Sequence, residues 1–349
     1  MNYKNKSRDE LITLCKEKNI KGYSKKNKDD LTNLLMTLKI DDIPPQIPDK
    51  LESSYIATFT TDELKKDYAK LVSSSPVLPV SCHHRQGMKL LEHFNPHFWE
   101  TEGVTGDSIA KLWTDHDIKQ KAIDRTLKHY KKIYISEIRR NLAFYSRAPL
   151  PTMYRPILTK ALVEKLGSKN VLDCCVGWGG RMIGTASVPG THFTGIEPAS
   201  KTHTALVNIA NYVGITNHVT LIHAPAEQAL LHLPSDSFDL VLTSPPYFNL
   251  EVYGHEETQS IFTNSTWESW CDNFLKVCIR EGLRCLKTDG VSAWSVKNMP
   301  KYKLKDKVFE YHIEFGYEHY ATEGMTSTPR NTGKASKLTE ETFLFRKII

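Results

Sequence analysis

The chain has 349 residues, 40% of them apolar and 25% charged, with a formal net charge of +6. That length allows two or three domains, and the balance is ordinary for a soluble globular protein. No uninterrupted apolar run reaches membrane-spanning length and Met1–Glu10 is polar, which argues against a spanning segment or a secretory signal; a soluble intracellular protein of nucleus or cytoplasm is expected.

Seven cysteines without a CxxC pair fit a reducing compartment better than a disulfide framework. Cys271, Cys278 and Cys285 recur every seven residues and read as small buried residues on one helix face. Cys82, His84, His93 and His97 match no zinc spacing, so no metal is expected. The charge is unevenly spread. Residues 1–40 hold ten Lys/Arg against five Asp/Glu, and residues 121–147 hold eight against two, so the remainder is net acidic. Two basic segments on such a remainder point to a polyanionic partner.

In chain order, Ser7–Lys39 reads as two short helices with apolar edges at Leu11, Leu14 and Cys15 and at Leu31, Leu34, Leu35 and Leu38. Asp9 and Asp29 stand where N-terminal acids or caps belong. The basic turn "KGYSKKNKDDL" and the leucine spacing resemble the SAP helix–extended–helix module, which implies a DNA-binding module over residues 1–40. Residues 41–60, with three prolines in "DDIPPQIPDK", read as a stiff linker. Residues 61–150 read as a basic, helical region that contacts DNA and covers a cofactor. Within it Asp115–Arg140 is a long stretch with an apolar stripe from Ile118 to Tyr134 and a basic face of Lys121, Arg125, Lys128, Lys132 and Arg139.

Residues 151–349 switch to β-type runs separated by helices. The runs are Asn170–Cys175, His192–Glu197, Val219–His223, Phe238–Thr243 and Gly290–Val296, with late strands at Tyr317–Thr322 and Glu341–Lys347. Such alternation predicts an α/β doubly wound sheet. The first run ends at Asp173 and enters the Gly-rich loop "CCVGWGGR", where Gly177, Gly179 and Gly180 permit close backbone approach to a ligand. The loop is neither GxGxxG nor a P-loop. Glu197 ends the second run, where nucleoside-binding domains place the carboxylate that accepts from a ribose diol. The fourth run leads into "LTSPPYF", in which two prolines hold Ser244, Tyr247 and Phe248 in a stiff order.

These three signatures, in this order, resemble the S-adenosylmethionine-dependent amino-methyltransferases of nucleic-acid bases. The resemblance implies a Rossmann-like, seven-stranded class I methyltransferase domain with a reversed final hairpin. It also implies S-adenosylmethionine as cofactor, held by Asp173, Gly177, Gly179 and Glu197. Tyr154 and Arg155, in the segment upstream, would cover its methionine end, and Ala226–Glu227 would contact its adenine. Trp178 and Arg181 depart from the plainer loop of many relatives. Ser244, Pro245, Pro246 and Tyr247 would hold the target base. An exocyclic amino group is a poor nucleophile because its lone pair is delocalised into the ring. If Ser244 Oγ and the Pro245 carbonyl accept its N–H bonds, the nitrogen is driven toward tetrahedral geometry, while Tyr247 stacks on the base. In duplex DNA the base must first leave the helix. Serine before the prolines is the pattern of N4-cytosine enzymes, and adenine N6, an RNA substrate and an inactive nucleic-acid-binding subunit remain the alternatives.

Overall fold

A computed structural model describes residues 6–17, 23–37, 54–103, 106–130, 133–146, 150–327 and 338–348. Most of the 41–60 linker, together with Leu38 and Lys132, lies outside the described residues. The chain forms two compact units, one of Met1–Ile56 with Ile109–Ala148 and one of Ala57–Ser108 with Pro149–Ile349.

In the first unit the two expected N-terminal helices are Arg8–Glu17 and Lys28–Thr37. Leu11, Cys15 and Leu31 are fully buried between them, with Leu14 and Leu34 packed alongside. The caps are Ser7 and Asn27, whose side chains accept from the amides of Glu10 and Asp30. Asp9 and Asp29 lie in the first turns, where they favour the helix dipole. The basic stretch 115–140 is divided between two helices. Asp115 caps His116–His129, Tyr130 turns extended, and Ile135–Ser146 follows. Ala122, Ile123, Ile138 and Leu142 are buried, and Asn141 Nδ2 donates to Thr126 Oγ1 at 2.8 Å.

The second unit is built on an eight-stranded sheet. Its strands are β1 (Val80–Ser81), β3 (Asn170–Asp173), β4 (His192–Ile196), β5 (Val219–Ile222), β6 (Phe238–Thr243), β8 (Leu286–Ser295), β9 (Tyr317–Thr326) and β10 (Leu338–Lys347). The order is β1-β9-β10-β8-β6-β3-β4-β5. Strands β3, β4, β5, β6 and β8 are parallel, and β10 runs antiparallel to both β8 and β9. The fold is therefore the expected Rossmann-like sheet with a reversed final hairpin. One short extra edge strand, β1, is added parallel to β9. A separate ribbon pairs β2 (Glu102–Gly103) with β7 (Glu251–Val252).

Successive strand residues face opposite sides, and both sides are covered. Val171, Leu240, Leu242 and Leu344 enter one core with the helices Pro156–Leu166, Gly180–Ala186 and Ser200–Val213. Leu172, Val241, Phe343 and Phe345 enter the other, with Lys276–Cys285 and Leu304–Glu314. Leu240, Val241 and Leu242 have no exposed surface, and burial of each contributes roughly 1.5–3 kcal/mol. Cys271, Cys278 and Cys285 are buried in the second core, as their spacing predicts.

Residues 61–150, expected as one helical region, are divided between the two units at Ser108 and Ile109. Their first half belongs to the sheet unit, because Leu64, Leu71, Leu90, Leu91 and Phe98 join the core that contains Met182, Ile183 and Leu206. Lys160, almost wholly buried, donates to the carbonyl of Leu71 at 3.1 Å, at the C-terminal end of the helix Thr61–Ser73. A cation at a helix C-terminus is favourable, and here it ties that helix to the helix Pro156–Leu166.

Candidate active site

Strand β3 pairs on one side with β4 and on the other with β6. The chain leaves β3 toward β4 and β5, then returns to place β6 on the opposite flank, so loops after β3 and β6 diverge at a topological switch point. Ligands bind in the crevice outside the strand ends at such points. The Gly-rich loop follows β3 and "SPPY" follows β6, and the register of Val171 with Leu240 and Leu172 with Val241 sets their starts side by side.

Glu197, just beyond β4, is buried, and each of its oxygens takes one backbone amide: Oε2 from Gly177 and Oε1 from Ala199, both at 2.9 Å. Burial pushes its pKa up to about 7 against the pull of those amides, with Asp173 and Glu256 adding like charge. Each oxygen keeps an open lone pair, which is what a diol donating two O–H bonds needs. Glu256, from the segment after "SPPYF", accepts from Ser200 N at 3.0 Å and from Ser200 Oγ at 2.7 Å, bracing the start of the helix beyond Glu197. Ala226 opens the short helix after β5, and neighbouring Glu227 is half-buried with its pKa raised by burial.

The glycines have different tasks. Gly177 has φ +56 and a side chain there would meet nothing within 4 Å, so it borders open space. Gly179, at φ +88, packs inward, and an added Cβ would lie 2.8 Å from Leu206 Cδ2. Gly180 lets the upstream segment close down, since an added Cβ would lie 2.1 Å from the Tyr154 carbonyl oxygen.

Asp173, expected to face the cofactor, is fully buried. It accepts from Arg181 Nε at 2.7 Å and from Cys175 N at 3.1 Å. Arg181 also donates to the Cys175 carbonyl and lies 5.0 Å from the centroid of the Tyr154 ring. This buried pair shapes the loop from beneath. Trp178 is fixed from the other side: Asn95, buried, donates to its carbonyl at 3.2 Å, and its ring lies against His97, Phe98 and Tyr253. Neither Asn95 nor this aromatic nest was expected, although "NP" at Asn95–Pro96 marks a turn.

Tyr154 also points inward. Its hydroxyl reaches Thr342 Oγ1 and Ser295 Oγ, both at 3.3 Å, and burial raises its pKa to about 12. Its neighbour Arg155 is half-buried and its Nη1 has no hydrogen-bond partner among the described residues. Glu340, near the start of β10, lies in the field of Arg155, Arg181 and Lys297, and burial raises its pKa. Glu340 carried no sequence signal.

Ser244 Oγ donates to the Ser295 carbonyl at 2.9 Å. Its one proton is thereby committed and its lone pairs remain to accept. Pro245 is buried, while Pro246 and Tyr247 are half-buried, and Lys297 Nζ lies 5.8 Å from the centroid of the Tyr247 ring. Burial raises the Tyr247 pKa, so its hydroxyl stays protonated. Phe248 has φ +51, a left-handed conformation that costs a bulky residue roughly 1–3 kcal/mol. Its ring is buried among Trp267, Trp270 and Tyr302 at centroid distances of 5.7, 5.8 and 5.1 Å, which offsets that cost and clamps the end of the motif. No cluster of three or more His, Cys, Asp or Glu side chains suited to a metal occurs among the described residues.

No family model and no curated protein matches this chain. Solved structures are similar at low identity. The cyclase SpnF is 19% identical over 48% of this chain, with a TM-score of 0.36. TrmN from Thermus thermophilus is 16% identical over 55%, with a TM-score of 0.37. An S-adenosylmethionine-dependent O-methyltransferase from Thermotoga maritima is 12% identical over 57% of this chain and 68% of its own, with a TM-score of 0.39. The match spans 60% of the cyclase and 49% of TrmN, less than two thirds of either. Likeness at this level carries no weight for activity.

Proposed function

We propose that this protein transfers a methyl group from S-adenosylmethionine to an exocyclic amino group of a nucleic-acid base, with N4 of cytosine in DNA the preferred target. The observation that carries the reading is the Ser244 hydroxyl, just after β6, turned into a pure acceptor by the Ser295 carbonyl at the end of β8, beside β3, whose loop is braced by Glu197.

The residues fit the cofactor on three counts. Glu197 presents two lone pairs to a ribose diol, Gly177 borders open space, and Arg155 carries a buried N–H, with no partner among the described residues, suited to a carboxylate. When bound, the cofactor supplies an electrophilic methyl group on a sulfonium. Ser244 Oγ and the Pro245 carbonyl would accept the two N–H bonds of the target amine. That concentrates the nitrogen lone pair outside the ring plane and holds it for in-line attack. Pro245 and Pro246 keep these acceptors in place with little conformational freedom to lose. Tyr247, kept neutral, offers its ring face to the base. Asp173, Arg181 and Tyr154 act beneath and around the loop as positioning residues.

The SAP-like segment at residues 1–40 supports DNA as the polymer. Adenine N6 offers the same two N–H donors, so acceptor chemistry alone leaves the base open. Incubation with S-adenosylmethionine and DNA or RNA, followed by nucleoside mass spectrometry, tests polymer and base together. Appearance of N4-methylcytidine in the deoxy series is the expected result. Absence of any methylated base despite cofactor binding would overturn the reading in favour of an inactive binding subunit.

A further inference from the structure

We infer that the outward face of the helices His116–His129 and Ile135–Ser146 is a stacking platform for single-stranded nucleic acid. Phe144 and Tyr145 are 62% and 42% exposed, and their rings meet edge-on at 5.5 Å. These aromatics are not needed to close the helix pair, whose inner face is already filled by Ala122, Ile123, Ile138 and Leu142.

Charge surrounds them. Lys121, Arg125 and Lys128 are spaced four and three apart, one stripe along the first helix, and Lys121 and Lys128 are exposed. On the second helix Ser136, Arg140 and Phe144 recur every four residues, all exposed. The two stripes meet where the Arg125 guanidinium carbon lies 4.2 Å from the centroid of the Phe144 ring. The acids on these helices are partly engaged: Asp124 accepts from Gln120 and Glu137 from Ser136.

A face that sets a pair of exposed rings beside a stripe of cations suits a strand of flat bases on a chain of phosphates. Aromatic side chains stack on any base, and the guanidinium adds cation–π attraction. A duplex offers this face its phosphates only, because its bases are already stacked on one another. Single-stranded DNA and RNA share the required chemistry. The inference deepens the methyl-transfer reading and rests on it only for the class of polymer. A bound single strand would present its bases unpaired, without the cost of extruding one from a helix.

The test uses the full chain and fluorescence anisotropy with a short dye-labelled single strand, as DNA and as RNA, and with the matching DNA duplex. Combined Phe144→Ala and Tyr145→Ala should weaken binding of at least one single strand by about tenfold or more, leaving the duplex and the salt slope unchanged. Lys128→Gln should weaken all three and lower the salt slope by about one. Heparin, a polyanion without bases, should bind the double variant as well as it binds the parent. Unchanged single-strand affinity in the double variant would overturn the platform. So would loss of heparin binding in parallel, or an absence of nucleic-acid binding. Calorimetry with S-adenosylmethionine separates the two readings: cofactor binding with no strand binding defeats the platform alone, and no cofactor binding defeats the proposed activity.

Discussion

The Ser244 hydroxyl donates its only proton to the Ser295 carbonyl oxygen, 2.9 Å away, although the two residues lie 51 positions apart in the chain. Ser295 is itself tied through its own hydroxyl to Thr342 at 2.6 Å and to Tyr154 at 3.3 Å. The end of β8 therefore orients the motif after β6 and anchors the segment expected to cover the cofactor. Ser244→Ala should lower kcat for methyl transfer by about 10- to 100-fold, the loss of one oriented hydrogen bond, while cofactor affinity stays within about twofold. Calorimetry and a tritium-transfer assay on the same preparation check this. Equal loss of binding and turnover would remove the serine from the reacting nitrogen.

Glu197 links pH, stability and cofactor affinity. Its pKa in the folded protein is about 7, above the usual value of 4.5, so the folded state holds the proton more tightly across that window. The stability supplied by this group is therefore full below about pH 4.5, falls as pH rises through the window and levels off above about pH 7. Binding of a diol favours the carboxylate, so cofactor affinity should rise with pH and level off above about pH 7. Glu197→Gln should flatten both pH dependences and weaken the cofactor, and because its amide nitrogen cannot accept from one of the two backbone N–H groups, it should lower the apo melting temperature at acid pH. Thermal melts and calorimetry between about pH 5 and about pH 8 decide it. An unchanged pH profile in the variant would assign the effect to another group.

Two glycines three positions apart in the same loop, Gly177 and Gly180, should behave differently. Gly180→Ala would drive a methyl group to 2.1 Å from the Tyr154 carbonyl oxygen, so the covering segment must shift. A destabilisation of roughly 1–3 kcal/mol is expected from such overpacking. Gly177→Ala meets nothing within 4 Å but sits at φ +56, which costs about 1 kcal/mol, and it should weaken the cofactor. Urea unfolding with parallel binding measurements distinguishes them. Equal stability loss at both positions would contradict the packing.

The Asp173–Arg181 pair is buried on both sides. Asp173→Asn would leave the guanidinium without its compensating charge and should cost about 3–5 kcal/mol. Asp173→Leu combined with Arg181→Met should cost less, because neither charge is then stranded. A shift of under about 1 kcal/mol in urea unfolding for Asp173→Asn would show that the pair does not hold the loop.

Much of the sheet was legible in the chain because its strands are short apolar runs with abrupt ends. The expected Phe238–Thr243 coincides with β6, and the late runs do form the reversed hairpin. Asp115–Arg140 read as one stretch because its apolar spacing carries on through Tyr130, where the backbone turns extended. The inclusion of 57–108 in the sheet unit left no local mark either, since leucines on a helix show that a face is buried but not against what.

The amino-acid sequence alone determined the order of the Gly-rich loop, Glu197 and "SPPY", and with it the class of fold. Those signals are local: each depends on the conformational limits of a few adjacent residues. Tertiary structure decided the use of each side chain. It turned Asp173 and Tyr154 inward, bound the Ser244 proton to Ser295 and set Phe248 in a left-handed turn among three distant aromatics. Burial and hydrogen-bond partners come from segments far apart in the chain, so no local pattern encodes them.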